Sequence, residues 1–150
     1  METETLLPLV CIVDDDDTDR MIAQRALRRI GVRNPVRTFA GAIDFMRYME
    51  ATLAEAPPDG RIPVCVAFVD LRMPPPDGFE LLRWIRRQPK LSHLQVVILT
   101  GSVDPQDMRR AAELRADLYL PKFPSDETLA RLVAEASASV LQAIRIAKLQ

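Results

Sequence analysis

Apolar residues along this chain follow two alternating rhythms. Unbroken apolar runs of strand length occur at Leu9 to Val13, Val64 to Val69 and Gln95 to Leu99, with weaker ones at Val36 to Phe39 and Leu118 to Leu120. Runs in which apolar and polar residues do not alternate fit strands covered on both faces. Between them, apolar residues recur at spacings of three and four. This predicts helices over Thr18 to Ile30, Ala42 to Leu53, Phe79 to Gln88, Pro105 to Leu114 and Asp126 to about Lys148. The order is strand then helix, five times. Each parallel crossover needs a covering element, so the order predicts an α/β fold, a doubly wound parallel sheet with helices on both faces.

Turn-forming residues fall between these elements: Asn34-Pro35, Pro57-Pro58-Asp59-Gly60, Pro74-Pro75-Pro76-Asp77-Gly78 and Gln88-Pro89. Neither a repeat nor a linker divides the chain, which reads as one domain over 1–150. Ser125 is placed to cap the last helix, with Asp126 and Glu127 in its first turn and Leu129, Leu132, Val133, Ala136, Val140, Leu141 and Ile144 along one stripe. The domain covers about four turns of such a helix. An extended C-terminal helix over about 140–150 therefore leaves Leu141, Ile144, Ile146 and Leu149 for a partner or a second copy, a possible homodimer.

Composition narrows the function classes. Twenty basic and 21 acidic residues give a net charge of -1, which supplies no electrostatic argument for nucleic acid or an anionic membrane as partner. No run approaches the roughly 20 apolar residues of a membrane span, and METETLLPLV lacks the basic region of a signal peptide, so the cytoplasm is the expected location. Cys11 and Cys65 lie inside strand runs and are expected to be buried free thiols. His93, the sole histidine, is expected in a loop without chemistry.

Candidate chemistry gathers at strand ends. Asp14-Asp15-Asp16-Asp17 closes the first run and Asp70 closes the third. In parallel sheets the carboxyl ends of strands carry the variable, functional loops. A calcium loop beginning at Asp14 is excluded, because Asp19 stands where its glycine belongs and Arg25 where its bidentate glutamate belongs. Asp16, Asp17 and Asp19 serve the strand-to-helix loop and its cap, with Asp17 or Thr18 capping the helix. Asp14, Asp15 and Asp70 together would be a like-charge cluster that needs a cation, and hard oxygen donors with open positions suit Mg2+ and phosphate chemistry. Thr100 ends the fourth run and Lys122 follows the fifth, a hydroxyl and a point charge suited to phosphoryl oxygens.

Taken together, IVDDDDTDR, VDLRMPPPDGFELLRWIR, VVILTGS and DLYLPK resemble the receiver domains of two-component response regulators over roughly residues 8–140. The resemblance implies a flavodoxin-like sheet of strand order 2-1-3-4-5 and a single-domain response regulator. It implies that Asp70 accepts a phosphoryl group from a sensor histidine kinase or histidine phosphotransfer protein and loses it by slow self-hydrolysis, without being an enzyme in the usual sense. Asp14, Asp15, Asp70 and the backbone carbonyl of Arg72 would hold magnesium, Thr100 and Lys122 would bind the phosphoryl oxygens, and Tyr119 would be the switch aromatic moving with Thr100. The alternative is a protein-binding module of the same fold that does not depend on phosphorylation, and more distantly a hydrolase of small phosphoesters. GAIDFMRYME and QPKLSHLQVVILT are also similar to regulators paired with phytochrome-type sensor kinases.

Three positions depart from the family pattern. Phe123 replaces the usual proline after Lys122. A cis bond there costs roughly 3 kcal/mol, so trans or a rearranged loop near Pro124 is expected, with Lys122 pointing less favourably. Arg115 stands where glycine is common and costs on the order of 1 kcal/mol if the site stays left-handed. Arg72 would place a cation over the site mouth. Arg20, Arg25, Arg28 and Arg29 line the first helix, either a solvated face or one turned to the kinase.

Overall fold

A computed structural model describes residues 7–56 and 62–148. Five parallel strands, β1 (Leu9–Val13), β2 (Val36–Phe39), β3 (Val64–Val69), β4 (Gln95–Thr100) and β5 (Leu118–Pro121), form one sheet in the order β2-β1-β3-β4-β5. The helices are α1 (Asp17–Arg29), α2 (Ala42–Glu55), α3 (Gly78–Arg86), α4 (Pro105–Glu113) and α5 (Asp126–Lys148). The predicted fold, strand order and extended last helix are all observed. Element ends differ from the expected ones by two residues at most, and a short 3-10 turn over Pro89–Leu91 replaces loop. The expected break at 57–60 and Leu149 lie outside the described residues.

Apolar runs become central strands because two layers of helices cover them. All six residues of β3 are buried. From Val66 onward its side chains alternate: Ala67 and Val69 join the cluster with Phe45, Met49 and Leu82, while Val66 and Phe68 join Leu27, Leu132 and Val133. A register shift between Leu9 and Val10 interrupts this alternation at the start, so Cys65 and Val66 pack in the same cluster. Phe45, fully buried, contributes about 2–3 kcal/mol of apolar burial by itself. Cys11 and Cys65 are free and buried as expected; burial pushes the Cys65 thiol up to about 12 and raises that of Cys11 further, so neither forms thiolate near neutral pH.

Helix starts follow local hydrogen bonding. Asp16, rather than Asp17 or Thr18, caps α1 by accepting from the Asp19 N–H at 2.8 Å. Asp77 and Glu80 form a reciprocal capping box on α3. Ser125 Oγ accepts from the Thr128 N–H at 3.1 Å, as the sequence predicts for α5. Among the described side chains Val140 is the last of α5 in the core, and Ile146 beyond it is 51% exposed. The side chain of Ile144 is not among those described. Arg29 on α1 clamps α5 through two hydrogen bonds to Asp126 at 2.8 and 3.0 Å, and Arg20 binds the Asp14 carbonyl, so neither is simply a solvated face; Arg25 and Arg28 are exposed.

One glycine is fixed by contact. A Cβ on Gly78 would lie 2.4 Å from the Asp70 carbonyl oxygen and 2.7 Å from the Leu71 Cα. The first turn of α3 therefore rests on the backbone of the loop that carries Asp70, and no side chain fits between. Arg115 has φ 68°, so the site is left-handed despite its side chain. Gly78→Ala is expected to lower unfolding stability by about 1–3 kcal/mol, the range for overpacking, as measured by urea denaturation, with m unchanged. An unaffected midpoint would show that the loop yields at little cost.

Candidate functional site

Strand register assembles the site. Val13 pairs with Val69, so Asp14 and Asp70 leave neighbouring strands side by side, and the backbone is continuous there: the Asp70 N–H donates to the Val13 carbonyl at 3.0 Å and the Asp14 N–H to the Phe39 carbonyl at 3.1 Å. Thr100 pairs with Pro121 and accepts from the Lys122 N–H at 3.0 Å through its carbonyl, which places Lys122 one step beyond the last strand. Asp14, Asp70 and Thr100 are 5%, 7% and 1% exposed, whereas Asp15 faces solvent.

Carboxylate oxygens of Asp14, Asp15 and Asp70 lie within 4.8 Å of one another. Three like charges at that spacing repel unless a cation lies among them. Lys122 supplies part of the compensation. Its ammonium lies 2.8 Å from Asp14 Oδ2, 2.7 Å from Asp19 Oδ2 and 3.5 Å from Asp70 Oδ2, with its side chain 13% exposed. Burial disfavours this ammonium, but the hydrogen bonds with Asp14 and Asp19 and the charges of Asp70 and Asp14 outweigh it and raise its pKa above the ordinary lysine value. Lys122 is thus charged throughout the neutral range. The donor set, three hard carboxylates of which one is open to solvent, fits a small divalent cation that keeps part of its water shell.

Asp70 is shifted the other way from a stabilised carboxylate. Burial, then the Asp14 charge, raise its pKa above 3.8; Lys122, the Thr100 hydroxyl and the Arg72 N–H oppose this and do not cancel it. An ionised Asp70 is therefore an electrostatic cost to the fold, and a group that a cation would relieve.

The Lys122–Phe123 peptide bond is cis, which corrects the expected trans form. The missing proline ring by itself favours trans. In the structure the Lys122 N–H is fixed to Thr100 and its ammonium to two carboxylates, so tertiary contacts set the conformation. The Lys122 ammonium faces the carboxylates of the site. The Arg72 guanidinium binds Asp107 Oδ2 at 2.5 Å on α4. Tyr119 is half-buried and donates its hydroxyl to the Ser102 carbonyl at 3.0 Å. His93 Nε2 lies 2.7 Å from the Ile62 carbonyl and far from this chemistry in the fold, between α3 and β4.

Two residues were not foreseen. Asp19 was assigned to loop and capping roles, and Asp107 had no assignment. Both stand on the apolar stripe of an amphipathic helix: Asp19 shares a face with buried Ala23, Ala26 and Leu27, and Asp107 with buried Ala111. A carboxylate on that stripe was the available signal. Asp107 accepts from Ser102 Oγ at 2.7 Å as well as from Arg72, joining the loop after β3 to the loop after β4.

Comparison with known proteins agrees with this arrangement. Residues 10–134 match the family model of the response regulator receiver domain. The chain belongs to this family. Among curated relatives, the probable methanogenesis regulatory protein FilR2 of Methanothrix harundinacea is 33% identical over 130 residues, covering 85% of this chain and 79% of that protein. The transcriptional regulatory protein GltR of Pseudomonas aeruginosa is 35% identical over 129 residues, 83% of this chain but 47% of its own length. Among solved structures, the phosphorylated cyanobacterial phytochrome response regulator RcpA superposes with a TM-score of 0.68 at 26% identity, covering 85% of this receiver domain and 89% of that chain.

The raised Asp70 pKa gives a signed stability prediction for this receiver domain. A carboxylate whose folded pKa exceeds its unfolded value of 3.8 destabilises the fold when ionised. In metal-free buffer, Asp70→Asn is therefore expected to raise the melting temperature at pH 7. The gain should shrink as pH falls through the folded pKa and vanish below 3.8, where both states are protonated. Scanning calorimetry across pH 3–7 reads it, and a variant less stable than wild type at pH 7 would contradict the electrostatics described here.

Proposed function

We propose that this receiver domain accepts a phosphoryl group on Asp70 from the phosphohistidine of a sensor histidine kinase or phosphotransfer protein, and signals by a change of surface that depends on it. The observation that carries this reading is the convergence of Asp14, Asp15 and Asp70 within 4.8 Å, with the Lys122 ammonium 3.5 Å from Asp70. An Asp70 carboxylate oxygen forms a bond to phosphorus while the phosphorus–nitrogen bond of the donor breaks. The bonding pair returns to the imidazole, which takes up a proton from solvent.

Lys122 and the Thr100 hydroxyl bind the equatorial oxygens and hold the charge that the transfer leaves on the protein. Asp14, Asp15, Asp70 and the Arg72 carbonyl would hold Mg2+, which when bound neutralises the carboxylates and the incoming phosphoryl oxygens. Hydrolysis of the acyl phosphate resets the domain. Phosphorylation adds charge that Thr100 and Lys122 must accommodate, and Tyr119, bonded to Ser102 two residues beyond Thr100, is placed to follow that movement. The likeness to RcpA supports a phytochrome-type kinase as partner, which would place the chain in the cytoplasm. Exposed Ile146 at the end of α5 supports a homodimer there.

The main support for a phosphorylation-independent binding module is the departure from the family pattern near Lys122. That support weakens with Lys122 seated among the carboxylates. Incubation with acetyl phosphate and Mg2+ is expected to give a base-labile, acid-stable adduct by intact mass, abolished in Asp70→Asn and dependent on the cation. An absence of adduct with acetyl phosphate and with phosphoramidate alike would favour the binding module.

A further inference from the structure

Asp19 lies outside the three carboxylates that can share a cation, yet it makes the shortest contact to Lys122, 2.7 Å against 2.8 Å for Asp14 and 3.5 Å for Asp70. An ammonium has three donors. Two are engaged by Asp14 and Asp19, and the phosphoacceptor is the most distant of the three partners. Asp14, Asp19 and Asp70 line one small cavity, enclosed by Ala23, Leu99 and Phe123. The backbone of Asp19 is held in the first turn of α1 by the Asp16 cap, so its carboxylate is fixed relative to the sheet edge.

A cation bound among Asp14, Asp15 and Asp70 weakens the pull of Asp14 on Lys122, since one carboxylate then divides its charge between two partners. Asp19 has no such competitor. We infer that Asp19 is a positioning residue that holds the Lys122 ammonium toward α1 and away from Asp70, opposing its engagement with a phosphoryl group. This rests on the phosphoacceptor reading above. A phosphoryl oxygen must draw Lys122 from Asp19 or bind beside a fourth negative charge, and both set the domain toward its unphosphorylated state.

The test uses beryllofluoride with Mg2+ as the phosphoryl mimic, titrated by calorimetry into the full chain, Asp19→Asn, Lys122→Gln and the double variant. Asp19→Asn is expected to bind roughly three- to tenfold more tightly, the scale of one ordinary hydrogen bond, because the Asn carbonyl can still accept from the ammonium. That gain should disappear when Lys122 is absent. Equal or weaker binding by Asp19→Asn overturns the inference. So does a gain that persists without Lys122, because it would reflect only the general removal of negative charge.

A second readout needs neither metal nor mimic. The Lys122 side-chain nitrogen resonance of the metal-free protein should move in Asp19→Asn and stay in Asp17→Asn, whose carboxylate pairs with Arg20 instead. A resonance indifferent to Asp19 removes the restraint. If it moves while the wild-type chain binds no beryllofluoride, the restraint on Lys122 stands and the phosphoacceptor reading fails.

Discussion

A single ammonium, that of Lys122, meets the carboxylates that the fold brings to one edge of its sheet. Asp14 and Asp70 are carried there by strands whose hydrogen bonding fixes them side by side, and Asp19 by the first turn of α1. None of these backbones can retreat from the others without breaking sheet or cap hydrogen bonds. The repulsion is therefore built in, and Lys122, helped by the Thr100 hydroxyl and the Arg72 N–H, offsets part of it. Burial, and after it the Asp14 charge, make Asp70 hold its proton more tightly than an ordinary aspartate, while the facing carboxylates keep Lys122 charged.

The rest of the molecule serves to hold that edge still. Two helical layers bury both faces of β1, β3 and β4, leaving the loops at their carboxyl ends as the place where polar groups can meet. Gly78 lets α3 press directly against the Asp70 carbonyl, and the Arg29–Asp126 clamp joins the two helices on the other face. From the same edge, Asp107 joins Arg72 to Ser102, and Ser102 in turn accepts from Tyr119, so a shift at Asp70 has a continuous bonded route to α4 and β5. That continuity is structural; energetic coupling along it is a separate property.

Much of this was legible in the sequence because it depends on local pattern. Apolar runs marked the buried strands, helical spacing marked the covering layers, and aspartates at two strand ends marked the acidic cluster. The parts that were not legible depend on tertiary contacts. The cis bond at Lys122–Phe123 contradicts the local preference of a non-proline residue, since the surrounding hydrogen bonds decide it. Asp19 and Asp107 were hidden because acidic residues near a helix start suggest capping. Only their place on the buried stripe separates a capping aspartate from one turned inward. The Arg72–Asp107 pair was hidden because sequence distance from Asp70 says nothing about a partner on α4.

The central claim is that the carboxylates at the sheet edge form one cation-dependent site. Thermal unfolding as a function of Mg2+ concentration tests it most directly, because a cation that binds only the folded state raises the melting temperature along a saturable curve. Wild-type protein is predicted to show that rise. Asp15→Asn, which removes the exposed member of the cluster and touches nothing in the core, is predicted to need far more Mg2+ for the same shift. Identical curves for the two proteins, or no rise in either, would contradict the account.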